Sequence, residues 1–298
     1  MAQITAALVK ELREKTGAGM MDCKKALTEC DGDVALAIDW LREKGIAKAA
    51  KKADRIAADG LTKAAVEGNK SVVVEVNSET DFVAKNEQFL NLIDVVSAEI
   101  LLKEPADVDA ALALDINGKS VNDIIVDATA TIGEKITLRR FEIIKKADND
   151  VFGYYIHMGG KISAVSVLSG NATFEVAKDI AMQVASMNPS YISRNHMPAE
   201  VVEKERDIQL EILKNDESLA GKPEKVLAGI VEGRLSKSLQ DMCLVDQPFF
   251  KDPNLKVSQY LKEKGVDVVS FVRYAVGEGI EKKEENFAEE VQKAAMVK

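Results

Sequence analysis

The chain holds two imidazoles, His157 and His196, and three thiols, Cys23, Cys30 and Cys243. A nucleophile needs a base in reach and a third group to orient that base, and no Ser or Cys here carries a flanking motif that marks one. Cys23 and Cys30 stand seven residues apart, which is not a zinc spacing, so no metal centre is expected. An odd number of cysteines cannot form a disulfide framework and points to a reducing compartment. Asn117-Gly118-Lys119-Ser120 ends like a phosphate-binding loop, but such a loop needs Gly at position 113 to bend around phosphates and the chain has Ala113, so a surface turn is predicted. Asn171-Ala172-Thr173 fits a glycosylation sequon by chance, since no secretory signal is read. With 49 acidic residues, paired carboxylates discriminate nothing. These residues offer no covalent reaction, no catalytic residue and no cofactor.

What they offer is recognition. The run SVVVEV leads into NSETDFVAKN, residues 77–86, where an aromatic ring stands beside a carboxylate in a polar loop. If Phe82 is left in solvent it forgoes roughly 2–3 kcal/mol of burial, which a partner's slot would recover. Asp81 beside it can accept donors and fix the ring's approach. The competing reading is that Phe82 caps the core beneath its own hairpin. Met20 and Met21 are adjacent, so a helix that buries one leaves the other nearer the surface, where an adaptable thioether suits partner contacts. Lys24 and Lys25 read equally as a solvated face. His157 closes a predicted strand beside the Met158-Gly159 turn and reads as a structural or interface histidine, because general acid-base work needs companions that are missing.

The elements that must position these residues change period along the chain. Ile4, Leu8 and Leu12 recur at helical spacing, Thr16-Gly17-Ala18-Gly19 breaks the pattern, and Met21 to Leu27 resumes it. Asp33 is placed to cap a third helix in which Leu36, Trp40 and Leu41 share a face until Gly45 ends it. Residues 47–55 read as a basic helical linker. From Asp59 the pattern alternates: Leu61 to Val66, a Gly68-Asn69 turn and Ser71 to Val76 form a predicted hairpin, followed by a helix over 86–102 and a strand over 135–144.

A second copy of this order follows. An offset of 93 residues pairs Gly60 with Gly153, Thr80 with Thr173, Val83 with Val176, Ala84 with Ala177 and Lys85 with Lys178. At the position of Phe82 the second copy has Glu175, with its own Phe one place earlier at Phe174. The last strand of the copy is VDVVSFVRYAV, residues 266–276. Its separation from Ile136 implies about 37 extra residues between Asn188 and Leu239. They predict a projecting antiparallel helical hairpin, with Pro198 before a charged helix, a break over 215–223 and a second helix from Glu224. After Gly277 and Gly279 the tail reads as a mostly polar helix with Phe287 and Val291 on one face.

TGAGMMDCKKAL (residues 16–27), TDFVAKNEQF (80–89) and GEGIEK (277–282), in this order, resemble the elongation factor Ts family over essentially the whole chain. The resemblance implies an α+β fold: a three-helix, ubiquitin-associated-like module over 1–55, core subdomains over 56–145 and over 146–187 with 240–276, the inserted hairpin over 188–239, and a C-terminal helical module over 277–298. It implies two repeated subdomains with antiparallel sheets. It also implies exchange of guanine nucleotide on the GTPase EF-Tu, without covalent chemistry. Thr80, Asp81, Phe82 and Val83 match the loop that enters the GTPase and disturbs its Mg²⁺ and phosphate sites. Met20, Met21 and Lys24 match residues that touch the same domain, and His157 matches an interface histidine, although Met158 stands where the family more often has Gly. The hairpin can self-associate in that family, which leaves open a homodimer in a 2:2 complex. The alternative is a scaffold that uses the ubiquitin-associated-like module to bind another protein.

Composition sets the class of partner. Hydrophobic content of 46% with 30% charged residues describes a core-forming chain. A formal net charge of -9 argues against direct binding to nucleic acid, which needs an excess of Lys and Arg. No apolar run approaches the roughly 20 residues that span a bilayer, so no membrane partner and a cytoplasmic location are expected.

Overall fold

A computed structural model describes residues 4–219 and 222–281. The chain divides into two compact units, Met1–Lys63 with Val74–Phe141 and Ala275–Lys298, and Ala64–Val73 with Glu142–Tyr274. Strands of the first sheet contribute residues to both.

The first unit opens with α1 (Ala6–Thr16), α2 (Met20–Glu29) and α3 (Val34–Ala50). Thr5 caps α1 by accepting from Leu8 N, and Gly17 ends it in the left-handed conformation (φ 66°). Asp33 caps α3, accepting from Ala35 N at 2.8 Å and Leu36 N at 3.0 Å. Leu12, Cys23, Ala26, Leu27 and Ala37 form the module's core, with Trp40 and Leu41 packed against it. Leu36 instead faces solvent, because the core face of α3 runs through Val34, Ala37, Trp40 and Leu41. Nor does Gly45 stop the helix. It lies buried inside α3, where a Cβ would stand 3.2 Å from Ala130 Cβ, so its missing side chain permits close approach to a neighbouring helix.

The predicted hairpin is β1 (Asp59–Glu67) and β2 (Lys70–Ser78). Then come α4 (Glu87–Lys103), α5 (Val108–Leu112), the short ribbon β3 (Asp115–Ile116) and β4 (Lys119–Ser120), α6 (Val121–Ile132) and β5 (Thr137–Lys145). Ala130, the neighbour of Gly45, belongs to α6. Asn117 and Gly118 turn the ribbon with positive φ (56° and 83°), the surface turn expected in place of a phosphate loop.

In the second unit, β6 (Val151–His157) and β7 (Ile162–Gly170) pair antiparallel, Val151 opposite Leu168 and His157 opposite Ile162. They lead into α7 (Phe174–Met187), α8 (Ala199–Lys214), α9 (Glu224–Met242), a ribbon of β8 (Pro248–Phe249) and β9 (Asp252–Lys256), α10 (Val257–Lys264) and β10 (Val266–Ala275). Leu168, Ile180, Val184, Leu244 and Val257 lie at the centre of its core.

The internal repeat is fuller than its sequence trace. One sheet has the order β1-β2-β5 and the other β10-β7-β6, so each places the second hairpin strand in the middle and pairs it with the strand that follows the helices. Each copy also carries a two-stranded ribbon and a helix just before that last strand. Between α7 and the β8–β9 ribbon, α8 and α9 pack on each other. The apolar contacts of this pair gather at its base, around Met197, Leu235, Leu239 and Cys243. Among the described residues no helix is long and apolar enough to cross a membrane. The predicted tail helix, with Phe287 and Val291, lies outside the described residues.

Candidate partner-binding site

The loop after β2 has two pinned ends and a free crest. At its start the Glu79 carboxylate accepts from Lys135 N at 2.6 Å and pairs with Arg55 at 3.2 Å. One residue on, both donors of Thr80 go to the Glu134 carboxylate, its backbone N–H at 2.9 Å and its hydroxyl at 2.6 Å, while its carbonyl accepts from Ser78 Oγ. At the far end Val83, Ala84 and Lys85 make one 3₁₀ turn, closed by Asn86 N donating to Val83 O. Asn86 then caps α4, its side chain accepting from Gln88 N at 2.8 Å.

Between these anchors Phe82 is 77% exposed. Its backbone is helical (φ -63°, ψ -40°), so the crest is held without strain. Asp81 is exposed and meets Lys85 Nζ at 3.4 Å, and the same ammonium lies 5.8 Å from the Phe82 ring centroid. Such exposed contacts are weak enough for a partner to displace. Val83 is only 6% exposed. It presents little surface to a partner, and it serves the loop as the apolar plug beneath the crest.

The second copy shows what the first one changed. There Thr173 caps α7 directly, and Phe174 begins the helix with its ring edge-on to Tyr154 at 5.5 Å. The equivalent residues of the first copy leave the α-helical path for the 3₁₀ turn, and Asn86 caps the helix anew. A helical first turn in one copy has become a projecting loop in the other.

Met20 and Met21 open α2 after Gly19 and are 59% and 75% exposed. Lys24 follows on the same outer face, while Cys23, Ala26 and Leu27 point to the core. Neither methionine is buried, which the expectation of one inside and one outside did not foresee. A Cβ at Gly17 would lie 3.4 Å from Gln88 Nε2, so the turn that leads into α2 sits against the first turn of α4. Within the first unit, Gly17, three residues before Met20, thus lies close to Gln88, six residues after Phe82.

His157 belongs to the second unit. It is half-buried at the end of β6, its Nδ1 3.1 Å from the Tyr155 hydroxyl, and its carbonyl accepts from Gly160 N and Lys161 N. Met158, next to it, holds a left-handed backbone (φ 48°) and is 72% exposed. That conformation is what Gly would supply without cost.

Sequence reasoning passed over three groups that position this surface. Glu79 and Glu134 hold the loop, and no local pattern marks them because their partners lie far along the chain, Arg55 and Lys135 for Glu79 and Thr80 for Glu134. Glu75 is the third, fully buried on β2. Its Oε1 accepts from Gly277 N at 2.8 Å, Arg139 at 2.9 Å and Asn77 at 3.1 Å, and its Oε2 from Arg140 at 2.6 Å. Burial pushes its carboxyl upward, but the Gly277 amide, the two guanidiniums and Asn77 outweigh it and hold the pKa below the ordinary range. Gly277 (φ 71°) fits because any Cβ would meet Ala58 O at 2.2 Å. Residues 277–278 therefore enter the architecture through the Gly277 amide and the Glu278 carbonyl, with the Glu278 carboxylate paired to Arg140 at 3.4 Å. The family model described as Elongation factor TS matches residues 79–278, from the first loop anchor to the residue after Gly277.

Proposed function

The chain belongs to the elongation factor Ts family, whose model covers more than half of it, and from that premise we propose that it releases GDP from EF-Tu by inserting Phe82. The observation that carries this reading is a large aromatic ring left in solvent on a loop whose ends are fixed by Glu79, Glu134 and Asn86. A loop anchored at both ends loses less entropy on docking than a loose one, so more of the roughly 2–3 kcal/mol gained by burying the ring is available to favour one state of the partner. Parting two helices of a GTPase would move its Mg²⁺ ligands and phosphate loop, which together hold GDP. Met20, Met21 and Lys24 widen the contact from the module next to the loop, with His157 as a further contact on the second unit. The factor supplies displacement, not bond making, so the nucleotide belongs to the partner.

Stopped-flow release of a fluorescent GDP from EF-Tu tests this. The full chain should raise the release rate in proportion to its concentration until saturation. An unchanged rate in the presence of a formed complex would establish the scaffold reading instead.

A further inference from the structure

Three consecutive residues after α6 join the end of α3 to the start of the Phe82 loop, all within the first unit. Gly133, in the left-handed conformation (φ 91°) that closes α6, accepts from Lys52 Nζ through its carbonyl. Glu134 takes both Thr80 donors. Lys135 reaches both ways: its backbone N–H goes to Glu79, while its Nζ donates to the Ala53 carbonyl at 2.6 Å and the Arg55 carbonyl at 2.9 Å. Carbonyls at and beyond the end of a helix are the acceptors that such a cation satisfies. The Arg55 guanidinium then returns to Glu79, so residues 52–55, 79–80 and 133–135 form a closed ring of polar contacts.

Packing holds α3 at its middle, where Gly45 lies against Ala130 of α6 and Arg42 pairs with Asp123 at 3.1 Å. Toward Ala53, about 12 Å further along a helix, an apolar groove of about 510 Å³ opens, lined by Ile46, Ala50 and Ala53 from the α3 segment and by Ile125, Ile136 and Leu138 from α6 and the start of β5. The Lys135 stem lines the same groove. One point of contact lets a helix pivot, and a second fixes its direction. We propose that Lys135 supplies that second point: it is a positioning residue that holds the N-terminal module, with Met20 and Met21, in register with the Phe82 crest. Two surfaces held in register bind a partner more tightly than two that move independently, because the second contact forms within a complex already made. The consequence for exchange rests on the reading that both surfaces meet EF-Tu, whereas the strut itself does not.

Lys135→Met keeps the apolar stem and the backbone N–H on Glu79 and removes only the ammonium, and Lys135→Arg puts donors back. Residual dipolar couplings of the free, full-length chain should fit α3 and α4 to one alignment frame. Lys135→Met should change the direction of α3 relative to α4, and Lys135→Arg should restore it. In catalysed GDP release, Lys135→Met should raise the half-saturating concentration on the order of three- to tenfold at an unchanged saturated rate. Met21→Ala should also cost less in the Lys135→Met background than in the wild type, a coupling that lost stability alone does not produce. An α3 direction that is the same in Lys135→Met would overturn the strut, whatever the exchange rates. A changed direction with an unmoved half-saturating concentration would overturn the positioning role. A wild-type chain that forms a complex with EF-Tu yet releases no GDP would defeat the exchange reading instead, and the changed α3 direction would still uphold the strut.

Discussion

Phe82 and Asp81 are neighbours with different expected weights. The ring offers apolar burial of roughly 2–3 kcal/mol, whereas Asp81 holds only an exposed ion pair of its own, worth at most about 1 kcal/mol. Phe82→Ala should therefore slow catalysed GDP release at least about tenfold with unchanged circular dichroism, and Asp81→Ala should slow it less. An equal or larger loss in Asp81→Ala would assign the work to the carboxylate. Glu134 touches no partner in this scheme but receives both Thr80 donors. Glu134→Gln keeps the shape and loses the charge that strengthens both bonds, so the loop should loosen. The expected signs are faster amide exchange at Thr80 and weaker association at an unchanged saturated rate, and a loss confined to the saturated rate would contradict a positioning role. Phe82 was legible in the sequence because an aromatic amid polar loop residues is conspicuous. Glu134 was not, since its partner is set by the path of the chain and not by a local pattern.

Elements were legible where the period was strong and the ends were marked. Both hairpins, α4 and the inserted pair could be read from alternation, turn residues and helical spacing. By contrast α6 is rich in β-branched residues, and its helical state rests on packing against α3 and α4 rather than on propensity. Gly45 misled for a related reason: a glycine that stops a helix and one that lets another helix approach look alike until Ala130 is in place. The insert's apolar contacts at its base make it separable. Removing about residues 195–228 takes away Met197, Val201 and Val202 but keeps Leu235, Leu239 and Cys243, so the product should unfold cooperatively with a lower midpoint in urea. A broad transition would show the hairpin to be integral. The strand β2 carries its own pH dependence through Glu75. Its folded pKa is depressed, so the stability it contributes is present above the ordinary glutamate value of about 4.3 and is lost as pH falls through the lower folded value. Glu75→Gln should cost on the order of 3 kcal/mol at pH 7, because two guanidiniums lose their buried partner. Urea unfolding at pH 7 and near pH 3 should show the gap to wild type narrowing in acid, and a constant gap would refute the assignment.

At the scale of the molecule, a duplicated plan has been put to unequal use. The offset of 93 residues marked the two copies because Gly60 and Gly153 stand in the first hairpin strands where a Cβ would meet backbone, Val76 O at 2.2 Å and Ala177 C at 2.0 Å, and Thr and Val recur after each hairpin. The shared ribbon and helix before each last strand left no such trace, since surface ribbons tolerate many sequences. One copy closes its helix on Thr173 and tucks Phe174 against Tyr154, and the other keeps the hairpin but opens the first helical turn to project Phe82. Function then follows from linkage between two bound states of the partner. Whatever factor the chain applies to EF-Tu's affinity for GDP, GDP must apply to EF-Tu's affinity for the chain. If the ring carries the coupling, its burial energy corresponds to about 30- to 150-fold. Calorimetric titrations of the chain into nucleotide-free and GDP-loaded EF-Tu should differ by at least that factor, and Phe82→Ala should shrink the ratio toward unity by weakening mainly the nucleotide-free complex. A variant that weakens both complexes equally would leave the ratio intact, and would show that Phe82 merely adheres to the partner without discriminating between its states.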